Sequence, residues 1–199
     1  MPMFQGIPAP MRMIGAGHGI MVLCCLFYLA WWSIAFRPGE TVSAVSGRAG
    51  CLLLLTVGFA AAGILCNAYG IRGMQIPNDT NDVKWILMVG AVAYLLLLGV
   101  TAGLLGRKPT SELLLIVLWA VMETAVVHAL YAADFLQAYT IPAVIIIGAT
   151  ILGLVAYLLY YEIDEQSAYY WGMVPLITDA AAMAAIMGYV MHNLADMYG

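Results

Sequence analysis

The stretch Ser111–Asp134, "SELLLIVLWAVMETAVVHALYAAD", decides what kind of chain this is. As a helix rising about 1.5 Å per residue it would run roughly 36 Å, enough to cross a hydrocarbon core of about 30 Å. It nevertheless carries Glu123, His128 and Asp134. Glu123 and Asp134 fall about 20° apart on the helical wheel, and His128 lies about 140° from Glu123. A helix that is polar on two faces cannot sit at a lipid edge with those groups buried. It is expected at the centre of a bundle.

The rest of the chain repeats the pattern. Of 199 residues, 64% are hydrophobic and only 9% charged. Soluble domains carry about 25% charged residues, so lipid is the expected solvent for most of this chain. The apolar runs are continuous rather than alternating. Open sheet edges cannot be satisfied in hydrocarbon, which leaves helices. Six runs are predicted as spans: 13–36, 48–70, 84–105, 111–134, 139–161 and 169–195. The fold class is therefore all-α, a single polytopic six-helix transmembrane domain over residues 1–199.

Loop chemistry separates the runs. "FRPGETVS" follows the first, "QIPNDTND" the second, "GRKPTSE" the third and "YEIDEQS" the fifth. Thr110 or Ser111 can cap the fourth helix. "FLQAY" is so short that the fourth and fifth helices are expected to be antiparallel neighbours. The first twelve residues lack the pattern of a cleaved signal peptide.

Aromatics mark the two membrane faces. Trp31, Trp32, Tyr160, Tyr161, Tyr169, Tyr170 and Trp171 gather at one face, termed A; Tyr69, Trp85, Tyr131, Tyr139 and Tyr198 gather at the other, B. Six spans place both termini on B. Arg37, Arg48, Arg107 and Lys108 lie at A; Arg12, Arg72 and Lys84 lie at B. Basic residues so evenly divided give the positive-inside rule little to act on. B is expected to be cytoplasmic because even-spanning proteins commonly keep both ends inside. Localisation in the cell membrane as a multi-pass protein follows.

Small residues mark expected helix contacts: Gly15 with Gly19, Ala149 with Gly153, and the stripe Ala180–Ala184–Gly188. These stripes, with the small size of the spans, point to a homo-oligomer. The four cysteines show no metal spacing and read as small packing residues.

The polar residues inside the spans carry the functional expectation. Counting from A, Glu123 lies roughly 18 Å deep and Asp179 roughly 15 Å. A charge at that depth costs roughly 2.5 kcal/mol or more, and all seven basic residues lie at span ends or in loops. A shared proton, a bound cation or a water-filled cavity must satisfy the two carboxyls. Pro175, four residues before Asp179, is expected to kink the sixth helix and expose carbonyls near Thr178 and Asp179. His18, His128 and His192 all fall in the B-side half, with Tyr131 near His128. His192 extends the Ala180–Ala184–Gly188 stripe and is expected to face a packed neighbour.

Four readings follow. In the leading one the chain is a small transporter or channel for a small solute or ion. Glu123, Asp179, His128 and Thr178 form a proton or cation site, and His18, His192 and Tyr131 line a route toward B. Two triplets of spans of loosely similar hydropathy would make an inverted repeat. The second reading is a haem-binding electron carrier using His18 and His128. The third is an intramembrane metal enzyme, although no HxxxH, HExxH or G-x-S-x-G occurs, which weighs against an enzyme. The fourth is an accessory subunit. No cofactor is required by the leading reading; haem or a metal ion belongs to the alternatives. Retinal is excluded, because Met183 stands where a Schiff-base lysine is needed and both lysines lie at span ends. With no basic cluster, nucleic acid is not an expected partner.

Overall fold

A computed structural model describes residues 7–39, 47–74, 80–106, 111–160 and 163–198. Among these residues the chain is helical, with no strand. The helices are α1 (Ala9–Ala35), α2 (Gly47–Gly73), α3 (Thr80–Gly99), α4 (Ser111–Ala132), α5 (Thr140–Tyr160), α6 (Glu165–Trp171) and α7 (Val174–Tyr198). A π-helical turn, Val100–Leu104, continues α3. Six helical stretches are long and apolar enough to cross a membrane, α6 and α7 together supplying the sixth. The protein is a multi-pass helical membrane bundle.

α4 packs on α2, α3, α5 and α7. More than half of its most apolar window is buried, against 11% for the α3 span. The two polar faces of α4 thus have the central place they require. Its end is well defined. Asp134 adopts a left-handed conformation (φ 59°), Phe135 N–H donates to Leu130 O at 2.9 Å, and Asp134 N–H donates to Tyr131 O at 3.1 Å. This paired closure satisfies carbonyls that the helix leaves open. The short "FLQAY" link then returns the chain so that α5 lies against α4.

Three expectations need correction. First, the sixth span does not open at Thr178 and Asp179. The break lies earlier, at Gly172–Met173, and Pro175 sits in the first turn of α7. Proline is tolerated there because the first-turn amides have no intrahelical acceptor. α7 then runs unbroken past Asp179.

Second, Gly15 and Gly19 are not the close-approach points of α1. Gly15 meets only the tip of Met187, and around Gly19 a side chain would find open space. The tight contacts use Gly17 on α1 with Gly63 and Gly70 on α2. A Cβ at Gly70 would lie 2.9 Å from Pro10 O, and one at Gly17 2.8 Å from the Asn67 side chain. Ala149 and Gly153 are packed as expected, Gly153 against Ile116. The Ala184–Gly188–His192 stripe, by contrast, is exposed on the outside of α7.

Third, Trp31 and Trp32, expected among the aromatics of face A, do not point outward from the bundle. They are buried with Ala49 against Tyr28, Tyr160 and Tyr169. Trp32 Nε1–H donates to Tyr169 O at 3.0 Å, and the Tyr169 hydroxyl donates to Ser33 O at 3.3 Å. Carbonyls near the ends of α6 and α1 thus satisfy these polar ring atoms with the rings turned inward.

Candidate functional site

Local structure sets the centre. α1 begins at Ala9, just after Pro8, with Pro10 among its first residues. This start places His18 nine residues into the helix, roughly 14 Å along it, rather than near the B-side edge. On α4, Glu123 lies twelve residues in, roughly 18 Å along it. The two side chains meet across the bundle: His18 Nε2 lies 3.1 Å from Glu123 Oε2. Both residues are fully shielded, at 1% and 0% exposure.

The other ring nitrogen settles the proton count. His18 Nδ1 is 3.0 Å from Ile14 O. A carbonyl oxygen only accepts, so Nδ1 carries the hydrogen and donates. The Nε2···Oε2 contact then holds one further proton, as imidazolium with carboxylate or as imidazole with carboxylic acid. In either form the pair is neutral overall. That neutrality is what allows it in a lipid-embedded core, where an uncompensated charge is expensive.

Around this pair lie further polar groups. Asn67 on α2 is buried against Gly17 of α1, next to His18 in sequence; its Nδ2 donates weakly to Met122 Sδ at 3.9 Å. Asp179 on α7, 7% exposed, lies within electrostatic range of Glu123 and of Cys25 on α1. Four buried polar atoms here have no protein hydrogen-bond partner: Glu123 Oε1, Asp179 Oδ1, Asn67 Oδ1 and Trp119 Nε1. Buried polar groups are rarely left so. Three are acceptors in want of a donor, and Trp119 stands one turn from Glu123 on α4. The arrangement can hold and exchange protons, or take a small donor species such as water.

The remaining site expectations are not gathered here. His128 is half-buried and faces Asp82 at the start of α3, Nε2 to Oδ2 at 3.6 Å. Tyr131 is exposed and rests edge-on against Tyr139, ring centres 6.0 Å apart. Thr178 is half-buried beside Asp179 in sequence, and His192 is exposed. Both ring nitrogens of His18 are engaged by protein groups, so axial haem binding by His18 and His128 would require those contacts to break. Among the described residues no group of three or more His, Cys, Asp or Glu is arranged to hold a metal ion. The four cysteines are unbridged.

Sequence reasoning missed His18 as the direct partner of Glu123, and missed Asn67 and Trp119. A polar residue in the middle of an apolar run was the available signal for Asn67. No family model matches the chain, and the comparisons with curated proteins and with solved structures found no match.

Proposed function

We propose that this protein is a small transporter or channel of the cell membrane that moves a small solute or ion, with His18, Glu123 and Asp179 as its protonatable centre. The observation that carries the reading is the buried His18–Glu123 contact of 3.1 Å, with the Asp179 carboxyl within electrostatic range. Ionisable groups at mid-membrane are costly. A scaffold has no need of three of them, whereas proton-coupled movement does. In this reading Glu123 and His18 hold one proton between them and Asp179 holds another. Loading and release occur when the site is wetted from either face. His128 with Asp82, near face B, offers a second station on the B side, and B is the cytoplasmic face. Assembly as a homo-oligomer belongs to the same proposal, and the mass of the particle in nanodiscs tests it.

Flux across proteoliposome membranes is the test. Wild-type protein is expected to collapse an imposed proton gradient, or to move solute against it. Glu123→Gln and Asp179→Asn are each expected to remove that activity while leaving the protein folded. Unchanged flux in both variants overturns the reading.

A further inference from the structure

Three unpartnered atoms at the buried centre complement one another. Among the described residues, Glu123 Oε1, Asp179 Oδ1 and Trp119 Nε1 are each buried without a hydrogen-bond partner. The carboxylate oxygens accept, and the indole N–H only donates. Buried polar groups are rarely left unpaired.

Helix geometry brings the three to one side of the His18–Glu123 pair. Trp119 stands four residues before Glu123 on α4, about 6 Å nearer face A and on the same side of the helix. Asp179 approaches from α7, which packs on α4. It lies within electrostatic range of both Glu123 and Cys25. Cys25 is seven residues beyond His18 on α1, about 20° from it round the helix and nearer face A. It belongs with Trp119 to one packed cluster. Asp179 and Trp119 thus flank the Glu123 carboxyl from the face-A side, while His18 engages its other oxygen.

We infer that one buried water molecule is built into this centre, accepting from Trp119 Nε1–H and donating to Glu123 Oε1 and Asp179 Oδ1. The count of donors and acceptors selects it. The ligand must accept once and donate twice. Ammonium and metal ions offer no acceptor and are repelled by the indole N–H. A solute hydroxyl donates only once. Water meets the count, and a buried water commonly makes about three hydrogen bonds to groups otherwise unsatisfied. Two hydrogen bonds of about 2.9 Å reach up to about 6 Å, the spacing of side chains one turn apart.

The water also joins the two carboxyls. A proton on Asp179 Oδ1 bonds to the water oxygen as one of the water's own hydrogens passes to Glu123 Oε1. Asp179 loses one proton, Glu123 gains one, and the water is regenerated. Trp119 orients the water and gives up no proton, so it is a positioning residue. This transfer rests on the function proposed above; the water site does not.

The test is ¹H-detected solid-state NMR of the full chain, ¹⁵N-labelled at tryptophan, in lipid bilayers. Loss of a signal in Trp119→Phe identifies the Trp119 Nε1–H. Wild-type protein is expected to show magnetisation transfer from water to this proton at short mixing times. Trp32 Nε1–H, bonded to Tyr169 O, is the reference for an indole satisfied by protein. Asp179→Val, which removes one acceptor, is expected to cut the transfer at least twofold. Asp179→Asn, which keeps Oδ1, is expected to retain it. Absent transfer in the wild type, undiminished transfer in Asp179→Val, or loss of transfer in Asp179→Asn overturns the bridge. Proteoliposome flux separates the two claims. If the wild type shows the water but Asp179→Asn and Glu123→Gln both carry wild-type flux, the water site stands and the transport reading falls.

Discussion

Glu123 has no exposed surface, and one of its two oxygens is bonded to His18. Removing the carboxyl leaves the buried Nε2 of His18 without its partner, at about 1–3 kcal/mol for an unsatisfied polar group. Glu123→Ala is therefore expected to lower stability by about that amount. Glu123→Gln, which keeps a hydrogen bond to Nε2, should lose much less; thermal unfolding in detergent measures both. Glu123 and Asp179 were legible in the sequence, because a carboxyl in the middle of an apolar run has no innocent place to go. The His18 pairing was not. The charge on Arg12 suggests a helix starting at Met13, whereas α1 starts at Ala9 and leaves Arg12 exposed on its first turns. A long basic side chain can stretch toward the interface from that position. Those four extra residues carry His18 from the edge of the membrane to its interior.

At the scale of the helix, close approach was legible as a tendency but not as an address. Glycine is frequent throughout these spans, and only packing shows which glycines touch. Gly70 does: a Cβ there would press on Pro10 O and Ile14 N, which are backbone and cannot swing aside. Gly188 faces open space. Gly70→Ala is expected to destabilise by about 1–3 kcal/mol, as overpacking does, while Gly188→Ala is expected to be neutral or slightly stabilising through helix propensity. Denaturation of the two variants side by side checks the contrast. The break in the sixth span was legible from Pro175, but its position was not. Proline marks either a kink or a helix start, and here α6 ends at Trp171 with Gly172 held against the Trp32 ring, so α7 starts afresh just before Pro175.

Asp164 also gives α6 a pH dependence. Its carboxyl accepts from the Ser167 backbone N–H at 3.0 Å and from the Ser167 hydroxyl at 2.7 Å. These bonds hold its pKa below the ordinary 3.8. A carboxyl whose folded pKa is depressed stabilises the fold above its unfolded value, and loses that contribution as pH falls through the folded one. Acidification below about 3.8 is thus expected to loosen α6, and Asp164→Ala to do so at neutral pH. Hydrogen exchange of the Ser167 amide, relative to its intrinsic rate, reads the effect.

Over the whole molecule, burial falls from α4 outward to α2 and α3, whose apolar residues face the surroundings. Six spans follow from composition and run length alone, because lipid leaves the backbone no alternative to the helix. The order of packing does not follow, since every helix is apolar on most sides and hydrophobicity alone cannot select neighbours. Close glycine contacts and polar residues do so: Gly17, Gly63 and Gly70 bring α1 and α2 together, and His18 of α1 meets Glu123 of α4, with buried Asn67 and Asp179 supplied by α2 and α7.

The most direct test of that convergence is ¹⁵N solid-state NMR of the His18 ring in lipid bilayers. With Nδ1 donating to Ile14 and Nε2 facing Glu123, Nδ1 is expected to carry hydrogen throughout pH ~5–8, the range in which an exposed histidine titrates. Glu123→Gln is expected to shift the Nε2 signal alone. A His18 with a bare Nδ1, or one whose ring signals ignore the Glu123→Gln substitution, would contradict the account.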